Sequence, residues 1–146
     1  MDRPKITDVV ATGSYAEWVM YVKDFHKNRL KYNHPTHPVT EISSEMLEEH
    51  LGYLQEEINE IEVAETVEDL IDGLGDLIYY AIGCGLQHGV DLGPIISEIH
   101  YSNMEKVHNP NADPYTKRVT KPPNWKPPRI LEILEEMRQP GEEIPF

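Results

Sequence analysis

Two stretches of this chain repeat branched apolar residues at helical spacing, and no segment alternates as a strand would. Leu47, Leu51, Leu54, Ile58 and Ile61 form one series, and Leu70, Ile71, Leu74, Leu77, Ile78 and Ala81 form the next. That period lines each series along one side of an α-helix. Ser43 or Ser44 supplies a cap for the first helix, which is expected to run to about Val63. Thr66 caps the second, which is expected to end near His88-Gly89, where glycine suits a left-handed C-terminal position. Both stripes are expected to be core. Gly73, Gly75, Gly83 and Gly85 weaken the second helix, and close approach of a neighbouring helix is the expected compensation.

The flanking segments extend the pattern. Ser14 and Glu17 have capping-box spacing, and Trp18, Val22 and Phe25 share a face, which predicts a helix from Ser14 to Leu30. Pro35 and Pro38 make Asn33 to Thr40 a loop. Pro94 suits the first turn of a further helix, expected to reach about Val107. Six of the twelve prolines fall in residues 108–128, which read as an ordered arm without strands. A short helix over 129–138 follows, with Ile130, Leu131, Leu134 and Met137 on its apolar side, and Gln139 to Phe146 read as a tail. The expected fold is all-α: one domain spanning 1–146, a four- to five-helix bundle with a helical core at about 14–107 and a Pro-rich C-terminal arm. Hydrophobic content of 39% is modest, so a partner subunit is expected to complete the core.

Charge narrows the function classes. The net charge is −13, and residues 41–76 hold thirteen acidic groups without one Lys or Arg. Such a chain is a poor binder of nucleic acid, whose phosphates call for Lys and Arg. It also lacks a polybasic membrane anchor. No apolar run reaches the roughly 18 residues of a membrane span, and Met1 to Thr12 lacks the order of a signal peptide. The single Cys84 excludes an intrachain disulfide framework and fits a reducing compartment, so a cytoplasmic location is expected. Cys84 has no nearby base in sequence and reads as a buried thiol.

Four groups of residues carry chemistry. Glu56, Glu57 and Glu60 cover one arc of their helix, with His50 and Tyr53 a turn or more earlier. Carboxylates at these spacings repel. A solvated face tolerates that, and a hard divalent cation removes it. Asp69, Asp72 and Asp76 form a second stripe, opposite the Leu/Ile face of their helix, continuing into Tyr79, Tyr80 and Gly83. Aspartate is a weaker helix former than glutamate, and tyrosines with glycines suggest a packed surface. Asn103 and Lys106 share an arc with Ile95, Ile96 and Ile99, where polar groups need partners and phosphate is one. Lys121 lies in a stiff cationic segment with Trp125. His34 and His37 read as solvent-exposed. A di-iron bundle, a Walker loop, a dinucleotide fingerprint and a zinc pattern are all missing from the sequence.

Taken in order, these segments resemble the MazG-like all-α nucleoside triphosphate pyrophosphohydrolases. The branch that they resemble most is that of phosphoribosyl-ATP pyrophosphohydrolase and the dimeric dUTPases. The resemblance rests on Glu56-Glu57-x-x-Glu60, Asp72 to Tyr80, Glu98 to Lys106, and Lys121 to Pro128, with Asp24-Phe25-His26 near the start. It covers roughly residues 15–135. It implies Glu56, Glu57, Glu60 and Asp76 as ligands of divalent metal. Gly73 stands where the family pattern has glutamate, and Asp72 is the nearest substitute. Tyr101 stands where relatives often have arginine.

The resemblance further implies a homodimer or dimer of dimers. It implies a Mg²⁺-dependent hydrolase, with Mn²⁺ as substitute, that turns a nucleoside triphosphate into monophosphate and pyrophosphate for nucleotide-pool control. dUTP, dCTP and dGTP are among the candidate substrates. One of Glu56, Glu57 and Glu60 would accept the water proton. Lys106 and Lys121 would meet phosphoryl oxygens, Asn103 sugar or phosphate, and His26 or Trp18 the base. The rival reading is a non-enzymatic acidic helical protein that mimics nucleic acid and occupies a basic partner. It predicts carboxylates spread over the surface rather than gathered.

Overall fold

The computed structural model describes residues 3–11 and 13–139. Local sequence rules set most helix starts. The Glu17 N–H donates to Ser14 Oγ at 3.3 Å and opens α2, Tyr15–Phe25. The Met46 N–H donates to Ser43 Oγ and opens α3, Ser44–Glu62. The Asp69 N–H donates to Thr66 Oγ1 and opens α4, Val67–Gln87. Each cap satisfies an amide that the helix itself leaves without a partner. Ahead of them lies α1, Ile6–Ala11, a six-residue helix that the sequence pattern did not predict. α5, Leu92–Met104, ends three residues short of the expected Val107, and α6 is Ile130–Arg138. The fold is all-α apart from one minimal antiparallel pairing. β1, Val107–His108, pairs with β2, Val119–Thr120, so the arm does contain strands, against expectation. The expected tail, Gln139 to Phe146, lies outside the described residues from 140 onward.

Contacts group the chain into two compact units, Met1–Asp91 and Leu92–Phe146. In the first, α2 and α3 both pack on α4, and Val19, Val22, Ile82 and Leu86 make a small core with Tyr15 and Tyr79 against it. α2 runs on as a π-helical turn, His26–Leu30, and Lys31 adopts a left-handed φ of 59° to end it. The loop after it docks on the end of α4, where the Val39 N–H donates to His88 O at 3.0 Å. Gly89, with φ of 75°, faces the His37 carbonyl there and leaves no room for a side chain. In the second unit, Arg129 grips Glu98 through Nε at 2.7 Å and Nη2 at 3.0 Å, tying the start of α6 to α5.

The helical stripes do not do what their period suggests. Leu47, Leu51, Ile58, Leu70, Ile71, Leu74 and Ile78 are exposed in this chain, with Ile71 at 58%. α4 instead packs through the side that carries Gly73, Asp76, Tyr79, Tyr80 and Gly83. A Cβ on Gly73 would lie 2.5 Å from Ile61 Cγ1, and one on Gly83 would lie 2.8 Å from the His26 ring. Two of the glycines are therefore sites of close helix approach. Gly75 is not, since among the described residues nothing lies within 4 Å of where its Cβ would be. Among the described residues no helix is long and apolar enough to cross a membrane.

The glycine assignments are testable by urea denaturation. Gly83→Ala gains helix propensity but must displace a buried ring, so a net loss of about 1–2 kcal/mol is expected. Gly52→Ala, in the interior of α3 with open space around it, should gain up to about 1 kcal/mol.

Candidate functional site

The packing of α3 on α4 buries a carboxylate. Glu57 is 7% exposed, and its Oε2 meets no hydrogen-bond donor. Burial raises its pKa from 4.5 to about 7, and the charges of Asp76 and then Glu60 push the same way. Three acids from two helices thus act on one another, with no cation among the causes of the shift. Glu56 is exposed one position earlier on α3, and its charge reaches Tyr80 together with those of Glu57 and Asp76. Asp72 is exposed and is not among the groups that shift Glu57. The absence of a glutamate at position 73 has a steric reason, because Ile61 fills the space that its side chain would need.

The donor set suits a hard divalent cation. Carboxylate oxygens are the preferred ligands of Mg²⁺, and a buried oxygen without a donor is what such an ion satisfies. Among the described residues, no three His, Cys, Asp or Glu side chains already stand at coordinating positions. The acids are gathered at the level of mutual charge, through Glu57, Glu60 and Asp76.

Next to the acids lies a cavity of about 180 Å³. Phe25, Tyr32, Tyr53, Tyr79 and Tyr80 supply its aromatic walls, with His26, Glu49, His50 and Gln87 as polar members. Tyr53 and Tyr80 stack with ring centres 5.5 Å apart. The Tyr32 and Tyr53 hydroxyls both donate to Glu49 Oε1 at 3.2 Å. His26 Nδ1 and His34 Nε2 are 2.8 Å apart, so one neutral ring donates to the other. Burial, then the charges of His34 and His50, lower the His26 pKa to about 4.

The sequence-predicted residues divide accordingly. Glu57, Glu60 and Asp76 come together, with Glu56 beside them, and His26 lines the cavity. Trp18 does not line it and packs edge-on against Tyr15. Asn103, Lys106 and Lys121 belong to the second unit. Asn103 is exposed. Lys106 lies beyond the end of α5 rather than on it, and its Nζ stands 5.3 Å from the centre of the Trp125 ring, with Lys121 Nζ at 4.7 Å. Trp125 itself is anchored by donating to Ser102 O at 2.7 Å. Cys84 is half-buried, and burial pushes its thiol pKa up, as suits an unreactive thiol. His34 is half-buried rather than solvent-exposed, because the π turn brings it onto His26. Gln87 gave no sequence signal. His50 did, seven residues before Glu57 and so on the same face of α3.

The family model described as phosphoribosyl-ATP pyrophosphohydrolase matches residues 22–103, more than half of the chain. The match includes every acid of the cluster and all the residues that line the cavity. A search of curated proteins finds no match.

The buried acid predicts a pH signature. A carboxyl with a raised folded-state pKa contributes stability below its ordinary pKa and loses it as pH rises through about 7. His26 and His34, whose pKa values burial lowers, act in the opposite sense below about pH 6.5 and are common to wild type and Glu57→Gln. The difference between the two metal-free proteins therefore isolates Glu57: wild type should lose stability to urea relative to Glu57→Gln as pH rises from about 5 to about 8.

Proposed function

We propose, for a chain that belongs to the phosphoribosyl-ATP pyrophosphohydrolase family, a divalent-cation-dependent hydrolysis of nucleoside triphosphate to monophosphate and pyrophosphate. Membership makes it a pyrophosphohydrolase acting on a nucleotide. The metal requirement, the triphosphate substrate and a cytoplasmic role in nucleotide-pool control are the proposal. The observation that supports it most is Glu57, a buried carboxylate with a donor-free oxygen pressed against Asp76 and Glu60. A nucleic-acid mimic has no use for an acid hidden between helices.

Glu56, Glu57, Glu60 and Asp76 would hold Mg²⁺, or Mn²⁺ in its place. Asp72 serves as an exposed carboxylate at the edge. A bound cation there offsets triphosphate charge and lowers the pKa of an attacking water. The chain's own part is proton transfer and positioning. One glutamate of the α3 set takes the water proton, a role suited to a group whose proton affinity is matched to neutral pH. The phenols of Tyr53 and Tyr80, neutral at ordinary pH and with pKa values raised further, are hydrogen-bond donors in an acidic neighbourhood. On the second unit, Lys106 and Lys121 present ammonium groups over Trp125, a surface suited to phosphoryl oxygens, and Asn103 offers an amide to sugar or phosphate.

The exposed apolar stripes of α3 and α4 support a homodimer, or a dimer of dimers, as the working particle. Leu51, Leu70, Ile71 and Ile78 leave an apolar face on one helical hairpin, of the kind that marks subunit contacts. Replacing Leu51 and Ile71 by Asp should lower the mass measured by sedimentation to that of one chain. A wild-type protein that sediments as a monomer at every concentration would remove the proposal.

Activity is checked by screening pyrophosphate release across ribo- and deoxynucleoside triphosphates, dUTP, dCTP and dGTP included, with Mg²⁺ and Mn²⁺. Glu57→Gln and Asp76→Asn should each lower turnover by at least about 10²-fold. Circular dichroism should still report the helices. Full turnover in both variants would refute the acid assignment. Millimolar Mg²⁺ should raise the melting temperature of wild type by linkage, and less so that of Glu57→Gln.

A further inference from the structure

The cavity beside the acids contains a polar group for which the described residues supply no partner. His50 is 7% exposed, and neither Nδ1 nor Nε2 has a hydrogen-bond partner, although His50 lines the cavity. A buried imidazole without partners is uncommon in folded proteins and points to a missing one. His26, its neighbour in the cavity, already uses Nδ1 on His34. His50 is therefore the cavity imidazole whose two ring nitrogens are both buried and both without a partner among the described residues.

The cavity selects the kind of ligand. Its walls are largely aromatic side chains, which suit a flat π-system, and stacking alone accepts any base. Its volume of about 180 Å³ is below the roughly 300–1,000 Å³ of pockets that enclose whole drug-sized ligands. One heterocycle fits inside, while a sugar and phosphates stay out. The direction of exit is also fixed. His50 and Glu57 stand seven residues apart on α3, about 10 Å along its axis, and both are buried on the same side. Tyr53 and Tyr80, which line the cavity, also sense the charges of the acid cluster. That separation matches the reach from a base across its sugar to phosphoryl groups.

We propose that this cavity receives the heterocyclic base of the substrate, and that His50, with the buried Gln87, sets which base is accepted. The proposal rests on the reading of the acid cluster as a nucleotide hydrolase. Imidazole and amide can each donate and accept, so they read the pattern of donors and acceptors along a base edge. Discrimination follows because a base with the wrong pattern leaves buried polar atoms unpaired.

The test begins with full-length wild type in EDTA, so that it needs neither metal nor turnover. Deoxyuridine, deoxycytidine, deoxyadenosine and deoxyguanosine are titrated at millimolar concentration while the histidine ring resonances are followed by NMR, with His50 assigned from His50→Phe. At least one nucleoside should shift the His50 ring. His50→Phe and Gln87→Leu should each weaken that nucleoside by about tenfold or more. They should also compress by about tenfold the ratio of kcat/KM between the best and worst triphosphates. A His50 ring that ignores all four nucleosides, as it would if it held an ordered water only, overturns the proposal. So does an unchanged ratio in either variant when circular dichroism shows it folded. If the variants do not fold, the wild-type titration decides. Nucleoside binding at His50 without pyrophosphate release from any triphosphate would refute the hydrolase and leave the pocket. Pyrophosphate release with an unmoved His50 ring would do the reverse.

Discussion

The approach of α3 and α2 to the glycine-bearing face of α4 is the contact on which the first unit depends. At Gly73 and Gly83 the neighbouring side chains occupy the volume that a Cβ would take. Glycine in a helix interior costs about 1 kcal/mol relative to alanine, so the close approach must return at least that much in packing. The geometry has two consequences. It turns the aspartate and tyrosine side of α4 inward, which places Asp76 against Glu57 and Tyr80 against Tyr53. It also turns the Leu and Ile series of both helices outward. A hairpin packed through its apolar stripes would have a larger core and no buried acid.

This arrangement explains how so acidic a segment serves a narrow purpose. Thirteen acidic groups fall between residues 41 and 76, yet most stand in water, where repulsion is screened. Glu57 differs because burial removes that screening, and its proton affinity rises accordingly. The position of a carboxylate relative to the α3–α4 seam therefore matters more than its membership of an acidic run. Asp72 and Asp76 lie one turn apart on α4, and only Asp76 bears on the seam.

The helices were legible in the sequence because their signals are local. Ser14, Ser43 and Thr66 each cap an amide three residues away, and no long-range information is needed for that. The pairing of Glu57 and Glu60 with Asp76 was also legible, through side-chain period and the family resemblance. The choice of packing face was not. Periodicity finds an apolar side but does not say whether the same chain covers it, and here glycine placement decided. α1 and the β1–β2 pair escaped notice because six residues and two residues are too short for a period. His34 escaped because its contact with His26 depends on a π turn and a left-handed Lys31, neither of which leaves a pattern.

The cavity and the acids are two chemistries built on one seam, and the tyrosines join them. A phenol between carboxylates has two choices, to ionise and add to the repulsion or to stay protonated and donate. The second is already the state of an ordinary phenol at neutral pH, and nearby charge reinforces it by raising the pKa of Tyr53, chiefly through Glu49. At Tyr80 burial is the larger cause, and Glu57 and Asp76 add to it. Both rings thus keep their hydroxyl protons while lining the cavity. An acidic neighbourhood would repel an anionic ligand outright, but it does not repel a neutral heterocycle. A ligand that is neutral at one end and anionic at the other can enter by its neutral end first. It then needs a cation only where its charge meets Glu57, Glu60 and Asp76.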